Sequence, residues 1–142
     1  MNNVKVVVYG VGAVGSRIAK FLLEKKGIEI VGAIDVAKDK VGRDLGEVLG
    51  VDKQLGVTIS DDVDAVLSNV KTDIVVHATS SFLKDVYPQL ERILAHELNV
   101  VSTCEELSYP YATNQQLAKK LDALAKKHRV TVLGTGINPG FL

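Results

Sequence analysis

Three glycines at fixed spacing carry the first chemical signal, in the run Gly10-Val11-Gly12-Ala13-Val14-Gly15. Gly10 permits a tight turn after an apolar stretch. Gly12 lets the backbone come close to a pyrophosphate, and Gly15 lets a following helix press against the preceding strand. A helix beginning there offers unpaired N–H groups to an anion. Asp35 stands twenty residues beyond Gly15. A carboxylate at that separation can accept hydrogen bonds from both hydroxyls of an adenine ribose, whereas a 2′-phosphate would meet like charge. Turn, helix start and acid together predict a dinucleotide site that favours NAD(H). Lys38 and Lys40 follow closely and leave NADP(H) open.

Three further polar segments end apolar runs: Ala78-Thr79-Ser80-Ser81, Thr103-Cys104-Glu105-Glu106 and Thr135-Gly136-Ile137-Asn138-Pro139. Ala78 and Thr79 are expected near the diphosphate and the nicotinamide ribose. Ser81 divides evenly between that edge and ordinary helix capping. Glu105 and Glu106 could hold a cationic amine or take up a proton, Glu105 being nearer the strand end. The alternative for both is a charged first turn favoured by a helix dipole. Cys104 has no activating base nearby in sequence and reads as a buried thiol beside the nicotinamide. His77 lies within a strand, and His96 and His128 sit near helix ends, so no metal site is expected.

The elements that must position these residues alternate strand and helix. Val4–Tyr9 reads as a buried strand. Ala13–Lys26 reads as a helix with Val14, Ile18, Phe21 and Leu22 on its apolar face and Gly27 as its stop. Glu29–Asp35 is a second strand, and a short helix is expected near Asp44–Leu49. Val57–Ile59 is a third strand, followed by a helix that Ser60 or Asp61 could cap. Asp73–Ala78 is a fourth strand, whose continuous apolar character suits a sheet covered on both faces. A helix after Ser81 carries Phe82, Leu83, Val86, Leu90, Ile93 and Leu94, with Pro88 expected to kink or shorten it. Asn99–Thr103, a helix opened by Thr113 or Asn114 that bears Leu117, Leu121 and Leu124, and Val130–Gly134 complete the series. Such alternation demands right-handed crossovers. The predicted fold is therefore a doubly wound α/β parallel sheet of the Rossmann type, six strands in the order 3-2-1-4-5-6.

Composition excludes several other classes. The 142 residues, 46% of them apolar and 24% charged, suit one folded domain rather than a disordered chain. Seventeen basic and seventeen acidic side chains cancel, leaving no excess of positive charge for nucleic acid or an anionic membrane. No apolar run is long enough to span a bilayer as a helix, and the start of the chain does not read as a signal peptide. A single cysteine excludes an intrachain disulfide and points to a reduced, cytoplasmic setting. Tyr87, Tyr109 and Tyr111 read as half-buried packing, and a homodimer stays open.

The segments VVVYGVGAVGSRIAKFLLEKKGIEIVGAID, VVHATSSF, STCEELSYP and GTGINPGFL resemble 2,4-diaminopentanoate dehydrogenase and the related amine dehydrogenases, a group often labelled dihydrodipicolinate reductase-like. The resemblance spans the whole chain, and the second and fourth segments are the most specific to the group. It implies NAD(P)-dependent oxidative deamination of an amine or diamino acid to a ketone, or the reverse reductive amination. It also implies that Gly10, Gly12, Ala13, Val14, Asp35, Ala78 and Thr79 hold the cofactor, with Thr103 and Asn138 near the nicotinamide. A glutamate of the Glu105-Glu106 pair would handle the amine and the water. Members of the group carry a substrate domain after the NPGF segment, so residues 1–142 are expected to be a cofactor domain that binds NAD(H) without turnover. Dihydrodipicolinate reductase and a non-catalytic NAD(H)-binding module are the alternatives.

Overall fold

The computed structural model describes residues 3–108 and 114–135. Six parallel strands form one sheet in the order β3-β2-β1-β4-β5-β6, the expected doubly wound arrangement. The strands are β1 (Val4–Tyr9), β2 (Ile28–Ile34), β3 (Ile59–Ser60), β4 (Ile74–His77), β5 (Asn99–Ser102) and β6 (Val132–Gly134). The helices are α1 (Ala13–Leu23), α2 (Leu45–Leu49), α3 (Val63–Asn69), α4 (Leu83–Ala95) and α5 (Gln115–His128), with a 3-10 turn at Glu105–Ser108. None of these helices is long and apolar enough to cross a membrane.

Alternation along β1 splits the core into two. Val6 and Val8 point to the face covered by α1 and α2, where they meet Val11, Ala19, Ile30, Ala33, Leu45 and Leu49. Val7 and Tyr9 point to the other face, against Leu83, Val86, Leu90, Ile93 and Leu94 of α4 and Leu121 of α5. Leu90 and Ile93 are fully buried there, and truncating either to alanine should cost about 3 kcal/mol.

Of the apolar face expected for α1, Leu22 packs half-buried against the core, but Val14 and Phe21 do not. Phe21 is 56% and Val14 40% exposed, and the helix instead buries Gly15 and Ala19. Close approach decides this: a side chain on Gly15 would collide with the Gly10 carbonyl, so only small residues fit against the turn. Phe21 lies on the surface beneath the Lys25 ammonium, 4.3 Å from its ring centre. The helix ends at Leu23, before Lys26, and Gly27 serves the next turn, its carbonyl accepting from Val4 N–H at 2.7 Å.

Capping differs from expectation at two helices. Asp62, rather than Ser60 or Asp61, caps α3 by accepting from Ala65 N–H, while Ser60 Oγ steadies Asp62 N–H. Ser81 does not cap α4. Ser80 Oγ accepts from Phe82 N–H at 3.2 Å, and the Glu106 carboxylate accepts from Leu83 N–H at 2.8 Å. Phe82 sits outside the core, 57% exposed. The helix α4 runs unbroken through Pro88. Asn114 caps α5 through Leu117 N–H as expected; the alternative cap Thr113 lies outside the described residues, as do Tyr109 and Tyr111.

Candidate functional site

The carboxyl ends of the strands meet along one edge, tied loop to loop through the backbone. Gly10 N–H donates to Ile34 O (2.8 Å), Ala78 N–H to Tyr9 O (2.8 Å), Thr103 N–H to His77 O (2.9 Å) and Thr135 N–H to Ser102 O (2.9 Å). Gly10 adopts φ +104°, open to glycine, and any side chain there would run into the Ala78 carbonyl. The glycine turn is thus wedged between β4 and α1 by its own lack of side chains. Gly12 is different: a methyl group there would meet nothing within 4 Å. It caps α1 with no side-chain hydrogen bond, and the first turn of α1 carries no acid. The exposed start of α1 at Ala13 and Val14 therefore carries no side-chain cap, which fits a pyrophosphate.

Asp35 follows β2 directly. Its Oδ2 accepts from Val11 N–H at 2.7 Å and its Oδ1 from Ala37 N–H at 2.9 Å. Each carboxylate oxygen keeps a further lone pair for a ribose hydroxyl. Lys40 Nζ donates to Val11 O at 2.7 Å, so an ammonium and a carboxylate grip opposite ends of one residue of the glycine turn. Lys38 makes no such contact and lies exposed.

Across the turn, a cavity of about 230 Å³ is lined by Val14, Ala78, Thr79, Ser80, Ser81, Thr103 and Glu105. It gathers five of the residues expected at the site: Val14, Ala78, Thr79, Thr103 and Glu105. Glu106 is not among the lining residues. Its Oε1 caps α4 and its N–H donates to Ser81 O at 3.1 Å, a two-bond clasp between the 3-10 turn and the start of α4. Cys104 is buried as expected but does not line the cavity; it packs in the core under α4, and burial pushes its thiol pKa up. Asn138 lies outside the described residues. A larger cavity, about 340 Å³, opens between α5 and β6 around Leu107, Leu121, Ala125, Val130 and Val132, away from the glycine turn.

Sequence reasoning missed the polar cluster behind Thr79 in the smaller cavity. His77, at the end of β4, is completely buried. Its Nδ1 lies 2.8 Å from Ser102 Oγ and its Nε2 2.7 Å from Gln89 Oε1. Thr79 Oγ1 lies 2.6 Å from the same Gln89 oxygen and 3.1 Å from His77 Nε2. The Tyr9 ring meets the imidazole edge-on, centres 5.2 Å apart. Burial holds the His77 pKa below its ordinary value, and the bond to Gln89 only partly offsets this. Two signals were available: a histidine closing an otherwise apolar strand, and a glutamine at helical spacing from Val86 and Ile93 on the buried face of α4.

A doubly wound sheet with a glycine turn between β1 and α1 and an acid after β2 defines a Rossmann-type domain of the dinucleotide-binding class. Comparison with known proteins narrows this. The sequence model of the family described as dihydrodipicolinate reductase, N-terminus, matches residues 4–134, and the chain belongs to that family. It is 36% identical to 2,4-diaminopentanoate dehydrogenase of Acetoanaerobium sticklandii, an alignment covering all of this chain and 40% of that protein. It is 31% identical to 4-hydroxy-tetrahydrodipicolinate reductase of Prochlorococcus marinus, over 98% of this chain and 49% of the relative. The structure of an amine dehydrogenase from Mycobacterium smegmatis superposes with a TM-score of 0.90 at 47% identity, over 95% of this chain and 40% of that one. The chain thus spans about half or less of the length of these relatives.

Proposed function

We propose that this chain binds a nicotinamide dinucleotide and serves as the cofactor half of a dehydrogenase acting on an amine. One observation carries the binding: the start of α1, without side-chain cap or acid, beside the open position at Gly12. The Gly12, Ala13 and Val14 region would hold the diphosphate. Asp35 would take the adenine ribose, which favours NAD(H), while Lys40 beside it leaves room for NADP(H). Ala78, Thr79, Thr103 and Asn138 would border the nicotinamide and its ribose. When bound, the nicotinamide supplies hydride exchange with the substrate carbon that bears nitrogen.

Within the chain, Glu105 is the group suited to hold a cationic amine or accept its proton, because it lines the cavity. Glu106 holds the 3-10 turn that carries Glu105 through its clasp on α4. Support for an amine substrate comes from the two relatives named for amines, 36% and 47% identical. Residues beyond those matched here would supply most of the substrate pocket, since hydride transfer requires the substrate to be held in near-attack geometry. A small amine or diamino acid resembling 2,4-diaminopentanoate is the substrate class, in a cytoplasmic setting suited to one buried free thiol.

Fluorescence titration with NADH and NADPH tests the binding step. Absence of binding by either below about millimolar, an affinity of roughly −4 kcal/mol, would defeat it. In a protein of the relatives' full length, cofactor reduction that depends on a diamino acid tests the reaction. Turnover only with 4-hydroxy-tetrahydrodipicolinate would assign the reductase activity instead, and binding without turnover of either would leave a binding module.

A further inference from the structure

Of the cluster of His77, Gln89, Ser102 and Thr79, only Thr79 lines the cavity, and the other three stand behind it without reaching the site. The directions of the cluster's shortest hydrogen bonds follow from their lengths and from the groups that carry them. Gln89 Oε1 lies 2.6 Å from Thr79 Oγ1 and 2.7 Å from His77 Nε2. A separation of 2.6 Å suits O–H···O better than N–H···O. The Thr79 hydroxyl therefore donates its proton to the Gln89 carbonyl, and His77 donates Nε2–H to the same oxygen. His77 Nδ1 is then an acceptor, filled by the Ser102 hydroxyl at 2.8 Å, and Ser102 Oγ in turn accepts Cys104 N–H at 3.1 Å. Every buried side-chain N or O among the described residues has a partner, so the chain of bonds closes without an orphan.

Thr79 has spent its only proton inward, on Gln89. What it turns toward the cavity is a hydroxyl oxygen with lone pairs alone, because a hydroxyl carries one donor and two acceptor sites. We propose that Gln89 and His77 are positioning residues that fix Thr79 as a hydrogen-bond acceptor in the cofactor cavity, so that this wall selects a donor on the nicotinamide nucleoside. That donor is a ribose hydroxyl or the carboxamide N–H, and a phosphate oxygen is refused. The inference rests on the nicotinamide dinucleotide reading above. It adds that the contact has a direction, imposed from α4 by a residue that never reaches the ligand.

The test uses the 142-residue chain. Affinity for NADH is measured on the wild type and on Gln89→Met, Gln89→Glu, Thr79→Val and Thr79→Val/Gln89→Met, with ADP as a ligand lacking the nicotinamide nucleoside. Thr79→Val and Gln89→Met should each weaken NADH about 10-fold, the equivalent of one hydrogen bond. Both should leave ADP unchanged. Gln89→Glu, which keeps the accepting oxygen, should restore affinity to within about threefold of wild type. The double variant should bind no worse than Thr79→Val alone, because without the hydroxyl there is nothing left to orient. Reduced 3-acetylpyridine adenine dinucleotide lacks the amide N–H. If it binds wild type and Thr79→Val equally, the carboxamide is the donor; if it still loses about 10-fold, the ribose hydroxyl is. Losses that add in the double variant, equal losses for ADP, or a Gln89→Met variant that binds NADH normally would overturn the proposal while leaving dinucleotide binding intact. A wild type that binds neither NADH nor NADPH overturns both.

Discussion

Replacing Asp35 by alanine should separate two roles that one side chain performs. In the structure its carboxylate accepts Val11 N–H at 2.7 Å and Ala37 N–H at 2.9 Å. Hydrogen bonds to a charged acceptor contribute about 1.5–3 kcal/mol each. Asp35 is half-buried, so water can reach the abandoned N–H groups and the lower figure applies. The variant should therefore lose about 3 kcal/mol of stability before any ligand is added. At roughly 3–4 °C per kcal/mol for a domain of this size, melting should fall by about 10 °C. The ligand effect comes on top. Loss of two ribose hydrogen bonds should weaken NADH by about 100-fold, while NADPH, relieved of repulsion at its 2′-phosphate, should lose far less. Thermal melting of the ligand-free chain reads the first effect, and parallel fluorescence titrations read the second. An unchanged melting temperature would refute the reasoning about the glycine turn. Equal weakening of both cofactors would refute the ribose contact.

Other outcomes follow from the same geometry. Gly15→Ala should destabilise by about 3 kcal/mol because its methyl group falls on the Gly10 carbonyl, whereas Gly12→Ala should melt normally and lose dinucleotide affinity; the reverse pattern in melting and titration would contradict the assignment of the two glycines. Glu106→Gln should lower the melting temperature by loosening the start of α4, and Glu105→Gln should leave it unchanged while lowering turnover in a full-length protein; the comparison needs one melt and one rate for each. Because burial keeps the His77 pKa below its unfolded value, the folded state takes up fewer protons than the unfolded chain as acidity rises. Stability from this site is thus complete above about pH 6.5 and declines below it, by no more than about 1.4 kcal/mol per pH unit. Urea midpoints across that range should show the slope, and an identical slope in His77→Gln would assign it elsewhere.

The order of elements was legible because parallel strands joined by crossover helices leave few topologies, and the apolar runs marked each strand within one or two residues. Boundaries drifted where a neighbouring polar residue could cap equally well, as with Asp62 beside Ser60 and Asp61. The face of α1 was misread for a physical reason. Periodicity assigns the large apolar residues to the core, but a helix seated directly on a glycine turn can bury only Gly15 and Ala19 along its closest approach. Sequence separates Glu105 from Glu106 only by distance from the strand end, and the arrival of α4 gives them their different places, Glu105 lining the cavity and Glu106 capping the helix. His77 and Gln89 are twelve residues apart on different elements. Their partnership arises only after the β4–α4 crossover closes, so no local pattern announces it.

The two-sided character of β1 bears on how this domain can change over evolutionary time. Val11 packs on the α1–α2 face, while Leu90, next in sequence to Gln89 of the polar cluster, packs on the opposite face. The two ends of a bound dinucleotide would thus rest on separate foundations, on the two faces of one sheet. A lineage could retune its adenosine end by repacking around Leu45 and Ala33 without disturbing the orientation of Thr79. It could equally reshape the end where chemistry occurs and leave the adenosine grip untouched. One scaffold can then diversify in cofactor preference and in reaction along independent routes, each step tolerated because its consequences stop at the sheet.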